Sequence, residues 1–307
     1  MNDFTQINKI NAIKMKRIGF IKVSVFLLAL TCVLGCYGKT GKKPLSKRVG
    51  VCTSASNVPY IKEAGGNHVE ESLSSLLVPE KDEDVFLANL QTAISAGLPV
   101  SSTNGFFPGD LHVVGPDADH ERALRYTEVA MRRAKKVGIK VTVLGSGASR
   151  KIPDGFPYKE AEEQFVKLLQ KMGPIAKKYG VIIAIEPLRK QETNFINTVQ
   201  EGYELAKKVN HPNIAVNADI YHMMQEGEGP QSILNAGRKY IRNVHVAENA
   251  QRTAPGVEGD DFTPYFKALK KIKYRGTISI ECRWDNFQKQ VGPAIKEVQR
   301  QLQSIGF

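Results

Sequence analysis

Eight short runs rich in β-branched residues alternate with longer amphipathic stretches, and this alternation constrains the fold more than any other feature of the 307-residue chain. Alternating strand and helix patterns are typical of a parallel sheet. Eight such units within residues 48–307, without an internal linker, predict a single (β/α)8 TIM barrel. The eight runs are Val49–Thr53, His68–Ser72, Pro99–Thr103, Lys140–Leu144, Val181–Glu186, Ile214–Asp219, Ile241–Val246 and Thr277–Glu281.

The other fold with this alternation is an open, doubly wound sheet, which usually carries a glycine-rich phosphate-binding turn after its first strand. Here the first turn, residues 53–57, reads TSASN, and neither GxGxxG nor a Walker lysine occurs. The sequence therefore favours the closed barrel, with residues 48–307 as one domain.

Residues 1–35 have the pattern of an export signal, which is not part of a folded domain. The apolar run Val23–Leu34 has about 12 residues, fewer than the roughly 20 that a membrane-spanning helix needs. The residues before Cys36, VLG, resemble a bacterial lipobox, which predicts cleavage there and lipid on Cys36. We therefore expect a lipoprotein signal peptide (1–35), a flexible tether (36–47) and a periplasmic, membrane-anchored protein. A conventional or uncleaved signal is the alternative. The positively charged segment before the apolar run contains Lys14, Lys16, Arg17 and Lys22.

Without residues 1–35 the chain has 38 basic and 30 acidic residues, a net charge of +8. Paired lysines such as Lys135 and Lys136 fall near the ends of predicted helices, where they offset the helix dipole. A solvated surface is therefore expected, without nucleic-acid binding; a homo-oligomer is possible. Cys52 lies in the first predicted strand and Cys282 directly follows the last. The two cysteines are expected either to form a disulfide or to remain free thiols.

Four successive runs end in residues that can bind a metal ion: Glu186, Asp219, His245 and Glu281. In a barrel the carboxyl ends of the strands converge at one mouth. Any one of these residues could cap a helix or be a satisfied core residue, but four in register at the ends of buried runs predict one site. Three carboxylates and an imidazole suit one divalent ion, with Mn²⁺ favoured, Mg²⁺ and Co²⁺ close alternatives, and Zn²⁺ possible.

The motifs around these residues resemble those of the xylose isomerase-like sugar phosphate isomerase/epimerase barrels. This group contains the ketose 3-epimerases and shares its barrel with AP endonuclease family 2. The resemblance extends from about Val49 to the C terminus. It is carried by EPL at 186–188 with Glu192, DIYHM at 219–223, His245 with Glu248, YRG at 274–276 before Glu281, and, less specifically, GSG at 145–147 with Arg150.

The resemblance implies that Glu186, Asp219, His245 and Glu281 are metal ligands, and that Glu186 and Glu281 also act as acid and base. It implies further that His222 contacts substrate and that Glu192 orients Glu186 or the substrate. The family often has an arginine three residues after the glutamate that follows the histidine. Here that position is Gln251, and the arginine, Arg252, comes one residue later. Arg252 is the candidate substrate contact on this side, and the offset changes the direction expected for its side chain.

Other candidates follow from position alone. His68, Glu70 and Glu71, in the second run, are expected to line the mouth. Arg150 can bind a hydroxyl-rich or anionic group or form a surface ion pair. Trp284, the only tryptophan, can stack on a sugar face or pack at the rim.

The expected function is a divalent-metal-dependent sugar isomerase or epimerase that removes a proton next to a carbonyl through an enediolate. Export argues for a non-phosphorylated sugar or keto-sugar, because sugar phosphates are cytosolic. One alternative is a metal-dependent lyase that cleaves keto-glycosides by β-elimination, and a second is a non-catalytic sugar-binding lipoprotein. Phosphodiester cleavage ranks lower, since the chain offers few histidines and carboxylates before Glu186 for a multi-metal centre.

Overall fold

The computed structural model describes residues 43–307, whose strands form a closed, wholly parallel barrel in chain order. The eighth strand pairs with the first, through Val49 with Ile278 and Val51 with Ile280. The predicted TIM barrel is thereby confirmed, and each strand lies within two residues of its predicted bounds. The strands are β1 (Val49–Cys52), β2 (Val69–Ser72), β3 (Val100–Asn104), β4 (Val141–Leu144), β5 (Ile182–Ile185), β6 (Ile214–Asp219), β7 (Ile241–Val246) and β8 (Ile278–Ile280).

Helices separate the strands and begin and end where local chemistry dictates. Helix α4 (His120–Val137) begins after Asp119, whose carboxylate accepts the N–H of Arg122, and is followed by Gly138, a residue with a φ of 95°. Helix α6 (Val199–Val209) begins with a capping box between Thr198 and Glu201. The helices are α1 (Val58–Glu63), α2 (Leu73–Leu76), α3 (Glu83–Ser95), α4 (His120–Val137), α5 (Tyr158–Tyr179), α6 (Val199–Val209), α7 (Ile220–Gln225), α8 (Gln231–Tyr240), α9 (Thr263–Lys271) and α10 (Phe287–Ser304).

The apolar core lies between the barrel and the surrounding helices, whereas the interior of the barrel contains a polar layer. Glu70, Ser102, Asn243, His245 and Ser279 are all buried there. They lie on two pairs of neighbouring strands, with His245 opposite Ser279 across β7 and β8 and Glu70 opposite Ser102 across β2 and β3. A buried polar layer is stable only when its groups satisfy one another's hydrogen bonds. The strand register brings these groups together.

Pro44–Phe307 form one compact unit, which includes residues 44–47, the last part of the predicted tether. A 3-10 helix, Leu45–Lys47, leads into β1, and Leu45 is fully buried. The N–H of Ser46 donates to the carbonyl of Phe307. Burying one leucine side chain stabilises the fold by about 2 kcal/mol, which is why this short segment is ordered.

The predicted signal peptide and Cys36, the predicted site of lipidation, lie outside the described residues. Within residues 43–307, no helix combines the length and the apolar character that crossing a bilayer requires.

Candidate metal centre and active site

Four side chains from consecutive strands meet at the carboxyl end of the barrel. Asp219 and His245 lie on β6 and β7, and Glu186 and Glu281 directly follow β5 and β8. One ligand atom from each lies within 4.8 Å of the others. Glu186, Asp219 and His245 are buried, whereas Glu281 is partly open to the mouth. We call this group the carboxylate–histidine cluster.

Both glutamates reach the same nitrogen of His245. Its Nδ1 atom lies 2.8 Å from Glu186 Oε1 and 3.0 Å from Glu281 Oε2. Asn217 donates its side-chain amide to Glu186 Oε1 at 2.7 Å, which fixes that carboxylate from behind. Two carboxylates therefore converge on one point from separate strands.

Glu70 holds the other side of the His245 ring. Its Oε1 lies 2.8 Å from His245 Nε2, and its Oε2 accepts hydrogen bonds from Ser102 and Ser279 at 2.7 and 2.9 Å. Carboxylates thus lie at both ring nitrogens, and Glu70 holds the ring with Nδ1 directed toward Glu186 and Glu281. Glu70, which is buried on β2, is thus a positioning residue.

Arg252 reaches the cluster despite its one-residue offset from the family position. Its Nη2 lies 2.8 Å from Glu281 Oε2 and 3.2 Å from Asp219 Oδ2. Gln251 and Arg252 have φ values of 54° and 58°, and two successive left-handed residues re-aim the side chain. The guanidinium also lies over the ring of Tyr221, with 4.9 Å between its carbon and the ring centroid.

The two glutamates have pKa values shifted in opposite directions. Burial raises the pKa of Glu186, and the charge of Glu281 raises it further. Burial alone would also raise the pKa of Glu281, but His245 and Arg252 outweigh it, so that pKa is lowered. Burial would lower the pKa of His245, yet Glu70 and Glu281 raise it well above its ordinary value. Opposite pKa shifts in two neighbouring carboxyl groups are an arrangement suited to acid–base work.

The cluster fits a divalent metal ion. Three carboxylates and one imidazole nitrogen form an oxygen-rich donor set, and their mutual distances of at most 4.8 Å permit contact with a single ion. His222 is buried, and its Nε2 has no hydrogen-bond partner although it lies 3.5 Å from Asp219 Oδ2. An unsatisfied buried nitrogen beside the cluster indicates a polar ligand that completes the site.

Gly145 gives Glu186 the space that it occupies. A Cβ atom at this position would lie inside van der Waals contact of Glu186 Oε2. The GSG segment after β4 therefore has a steric reason to carry glycine: the carboxylate packs directly on its backbone.

His222 and Glu192, two further predicted neighbours of the cluster, have different surroundings in the structure. His222 borders the cluster, as expected, and its Nδ1 accepts the N–H of Arg189 at 3.4 Å. Glu192 accepts a hydrogen bond from Arg189 at 2.9 Å, and none of its described hydrogen bonds reaches Glu186. Glu192 therefore orders the loop after β5, through Arg189, rather than Glu186.

Arg150 does not face the mouth, which corrects its assignment as a substrate contact. The side chain is fully buried, and its guanidinium donates to the backbone carbonyls of Gly145, Phe195, Ile196 and Glu186. Arg150 thereby connects the loops after β4 and β5. This role is structural and differs from both predicted roles, a surface ion pair and substrate binding.

Trp284 packs rather than standing free at the mouth. It is partly buried against the apolar core and contacts Phe287 edge to face, with ring centroids 5.1 Å apart. Cys52 and Cys282 are both free thiols, so the disulfide alternative is not realised. The Cys52 sulfur lies 3.9 Å from His245 Nε2, and burial raises the pKa of this thiol well above its ordinary value.

Sequence reasoning missed three asparagines that hold the cluster. Asn217 and Asn243 contact the two ring nitrogens of His245, at 3.1 and 3.0 Å. Asn104, the last residue of β3, donates to Glu281 Oε1 at 2.7 Å. Asn217 and Asn243 stand two residues before Asp219 and His245, so strand alternation places them on the same inward face. A polar residue two positions before a predicted ligand, within an otherwise apolar strand, is therefore the sequence pattern that indicates such a supporting residue.

Comparison with known proteins agrees with this architecture. Residues 58–305 match the family described as xylose isomerase-like TIM barrels, and the chain belongs to that family. L-ribulose 3-epimerase of Methylomonas sp. (strain DH-1) is 36% identical over 124 residues, which cover 40% of this chain and 43% of the relative. The match thus spans less than half of that relative's length. 3-Dehydro-D-guloside 4-epimerase of Escherichia coli (strain K12) is 26% identical over 73% of this chain and 85% of its own length.

Among solved structures, 3-keto-D-glucoside 4-epimerase from E. coli superposes with a TM-score of 0.68 at 20% identity, covering 82% of this chain and 98% of that one. A structure of L-ribulose 3-epimerase superposes with a TM-score of 0.70 at 21% identity, covering 83% and 92%. At such identities the likeness shows the shared fold.

Proposed function

We propose that this protein is a divalent-metal-dependent sugar epimerase or isomerase that removes a proton from a carbon next to a carbonyl. The observation that carries the proposal is the convergence of Glu186 and Glu281 on His245 Nδ1, with Asp219 beside them. Two carboxylates from strands on either side of one histidine can approach a sugar carbon from two directions. Relatives named as sugar epimerases support this reading.

In this proposal one glutamate takes the α-proton as base and the other returns it on the opposite face of the carbon, which inverts the centre through an enediolate. Glu186, Asp219, His245 and Glu281 would hold the metal ion, with Mn²⁺ proposed. When bound, the ion supplies Lewis-acid polarisation of the carbonyl oxygen. His222 is placed to contact the substrate through its unsatisfied Nε2, and Arg252 holds the carboxylates of Asp219 and Glu281 in place.

The proposed substrate is a non-phosphorylated sugar or keto-sugar. The proposed export and lipid anchoring at Cys36 place the enzyme where such sugars occur, and recovery of the native chain in the cytosolic fraction would contradict that location. The E. coli relative matched over most of its length is named for a keto-glycoside, which supports a keto-sugar substrate. In such a substrate the same proton abstraction followed by loss of a β-leaving group would give a lyase.

Conservative variants of the two glutamates test the mechanism. Glu186→Gln and Glu281→Gln are each expected to lower kcat by about 10²- to 10⁴-fold, because each removes one proton-transfer group. The assay is turnover of ketoses and 3-keto-glycosides in D₂O, with deuterium incorporation and product stereochemistry read by NMR. Glu163→Gln, on the exposed face of α5, is the matched control.

The same assay distinguishes the alternatives. Release of a free aglycone without an epimeric product would establish the lyase. Metal content well below one ion per chain, with no activity after Mn²⁺ is added, would favour a sugar-binding protein. Full turnover in both glutamine variants would rule out the two-glutamate mechanism.

A further inference from the structure

A cavity opens beside the carboxylate–histidine cluster, over the ends of β1, β2 and β3. Its volume is about 440 Å³, within the roughly 300–1,000 Å³ of small-molecule sites. It shares Glu281 with the cluster, whereas Asp219 and His245 are not among its lining residues. The cavity therefore adjoins the reaction centre without coinciding with it.

The lining of this cavity is polar and lacks positive charge. Four hydroxyl side chains, from Thr53, Ser54, Ser72 and Ser75, line it together with the amide of Asn104. Its remaining residues include three glutamates, and no lysine, arginine or aromatic residue lines it. Hydroxyls, amides and carboxylates hydrogen-bond sugar hydroxyls well. The absence of cations disfavours a phosphate or a carboxylate ligand, because like charges repel.

Glu71 has one carboxylate oxygen, Oε2, to which no protein group donates a hydrogen bond. Its carboxylate accepts from the backbone of Ala55 and the hydroxyl of Ser54, while its Oε2 is buried without a partner. Burial raises the pKa of this group. A carboxyl oxygen left unsatisfied at the edge of a cavity is costly unless a ligand donates to it, and a sugar hydroxyl is a suitable donor.

Asn104 links the cavity to the cluster. It lines the cavity and at the same time donates to Glu281 Oε1 at 2.7 Å. A ligand that extends from the cluster into the cavity would pass this side chain. The occupants of the two spaces can therefore belong to one molecule.

Taking the proposed function as its premise, we propose that this cavity is a subsite for the second, neutral polyhydroxyl unit of a glycoside. The keto-sugar ring lies over the cluster, and the attached sugar lies among Ser54, Glu71, Ser72 and Ser75. The protein would thus act on keto-disaccharides in preference to single keto-sugars or phosphorylated sugars.

Filling the cavity tests this proposal. The intact, Mn²⁺-loaded protein is assayed with a 3-keto-disaccharide and with methyl 3-keto-glucoside, and kcat/KM is compared. We expect a preference for the disaccharide of about tenfold or more, equivalent to about 1.4 kcal/mol. Ser75→Leu should abolish this preference by lowering kcat/KM for the disaccharide about tenfold or more. Ser95→Leu, on the exposed end of α3, is the matched control.

A binding measurement separates failure of the subsite from failure of the proposed function. Saturation-transfer NMR with unreactive cellobiose, maltose and trehalose, compared with their phosphorylated forms, reports the subsite without turnover. Binding of a neutral disaccharide that Ser75→Leu weakens supports the subsite even if no keto-sugar is turned over. Equal kcat/KM values for both substrates, or tighter binding of the phosphorylated sugars, would overturn the subsite and leave the epimerase proposal intact.

Discussion

At the scale of single residues, the candidate site depends on groups that do not themselves contact a metal. Glu70 holds the His245 ring from its Nε2 side, and Gly145 leaves the space in which the Glu186 carboxylate lies. Ligands held by supporting contacts bind metal more tightly, because less of their freedom is lost on binding. The strength of the site is therefore set by these neighbours as much as by the four acidic and imidazole groups.

A methyl group at position 145 tests this dependence. Gly145→Ala should displace the Glu186 carboxylate and weaken Mn²⁺ binding by about 10- to 100-fold, the range seen when a supporting contact is lost. The φ of Gly145 does not require glycine, so stability should change little. Isothermal titration of Mn²⁺ and a thermal melt are the measurements. Gly229→Ala, where the added methyl meets no atom within 4 Å, is the control. Unchanged affinity in Gly145→Ala would contradict the packing argument.

At the scale of an element, the loop between β7 and α9 is organised around one buried carboxylate. Glu248 is fully buried and accepts the backbone N–H groups of Gly256, Glu258, Gly259 and Asp260. The same loop carries Arg252, whose carbonyl accepts the N–H of Arg283 at 2.8 Å. One side chain therefore supplies this loop with the backbone hydrogen bonds that a helix or strand would otherwise supply.

Neutralising that carboxylate should loosen the loop. Glu248→Gln replaces one acceptor oxygen with an amide that cannot accept, and hydrogen bonds to a charged group are worth about 1.5–3 kcal/mol. We expect the free energy of unfolding to fall by about that amount and hydrogen exchange of residues 253–262 to accelerate. Exchange followed by mass spectrometry is the measurement. Glu258→Gln, an exposed position in the same loop, serves as control. Wild-type exchange rates in Glu248→Gln would show that the loop does not depend on the carboxylate.

At the scale of the whole molecule, the barrel is held by a polar interior as well as an apolar shell. His68 lies fully within that interior, with Nε2 3.1 Å from Ser279 Oγ and Nδ1 2.6 Å from Asn67 Oδ1. Ser279 in turn donates to Glu70, so the hydrogen-bonded layer connects the base of the barrel with the cluster. Burial lowers the pKa of His68 to about 4.

This burial predicts a specific acid sensitivity. Between the ordinary pKa of 6.5 and about 4, the unfolded chain binds a proton at His68 that the folded chain does not. Stability should therefore fall as pH drops through that window, by about 3 kcal/mol in total, and be unaffected by His68 above it. In His68→Gln this part of the loss should be absent, as measured by urea unfolding at pH 7 and pH 4. His112→Gln, in an exposed loop, should behave as wild type. Identical pH profiles for His68→Gln and wild type would refute this assignment.

The sequence predicted the barrel and the cluster for the same reason. Strand runs such as Ile214–Asp219 and Ile241–Val246 have the bounds predicted for them, because β-branched runs that alternate with amphipathic helices have few other ways to bury their apolar faces. Arg150 was misassigned because a charge in a loop after a strand end gives no sign of whether its hydrogen-bond partners are backbone carbonyls or ligands. Those partners lie up to 46 residues away along the chain.

What the sequence determined by itself was thus the period of its elements and the chemistry at their ends: eight strands, and Glu186, Asp219, His245 and Glu281 as potential ligands. Only the tertiary structure decided how those ends are supported. Barrel closure pairs β8 with β1, so that across the interior Glu70 lies against His245 and Asn104 against Glu281. These contacts join residues more than 170 positions apart, and their distances depend on register and closure, which no local pattern encodes.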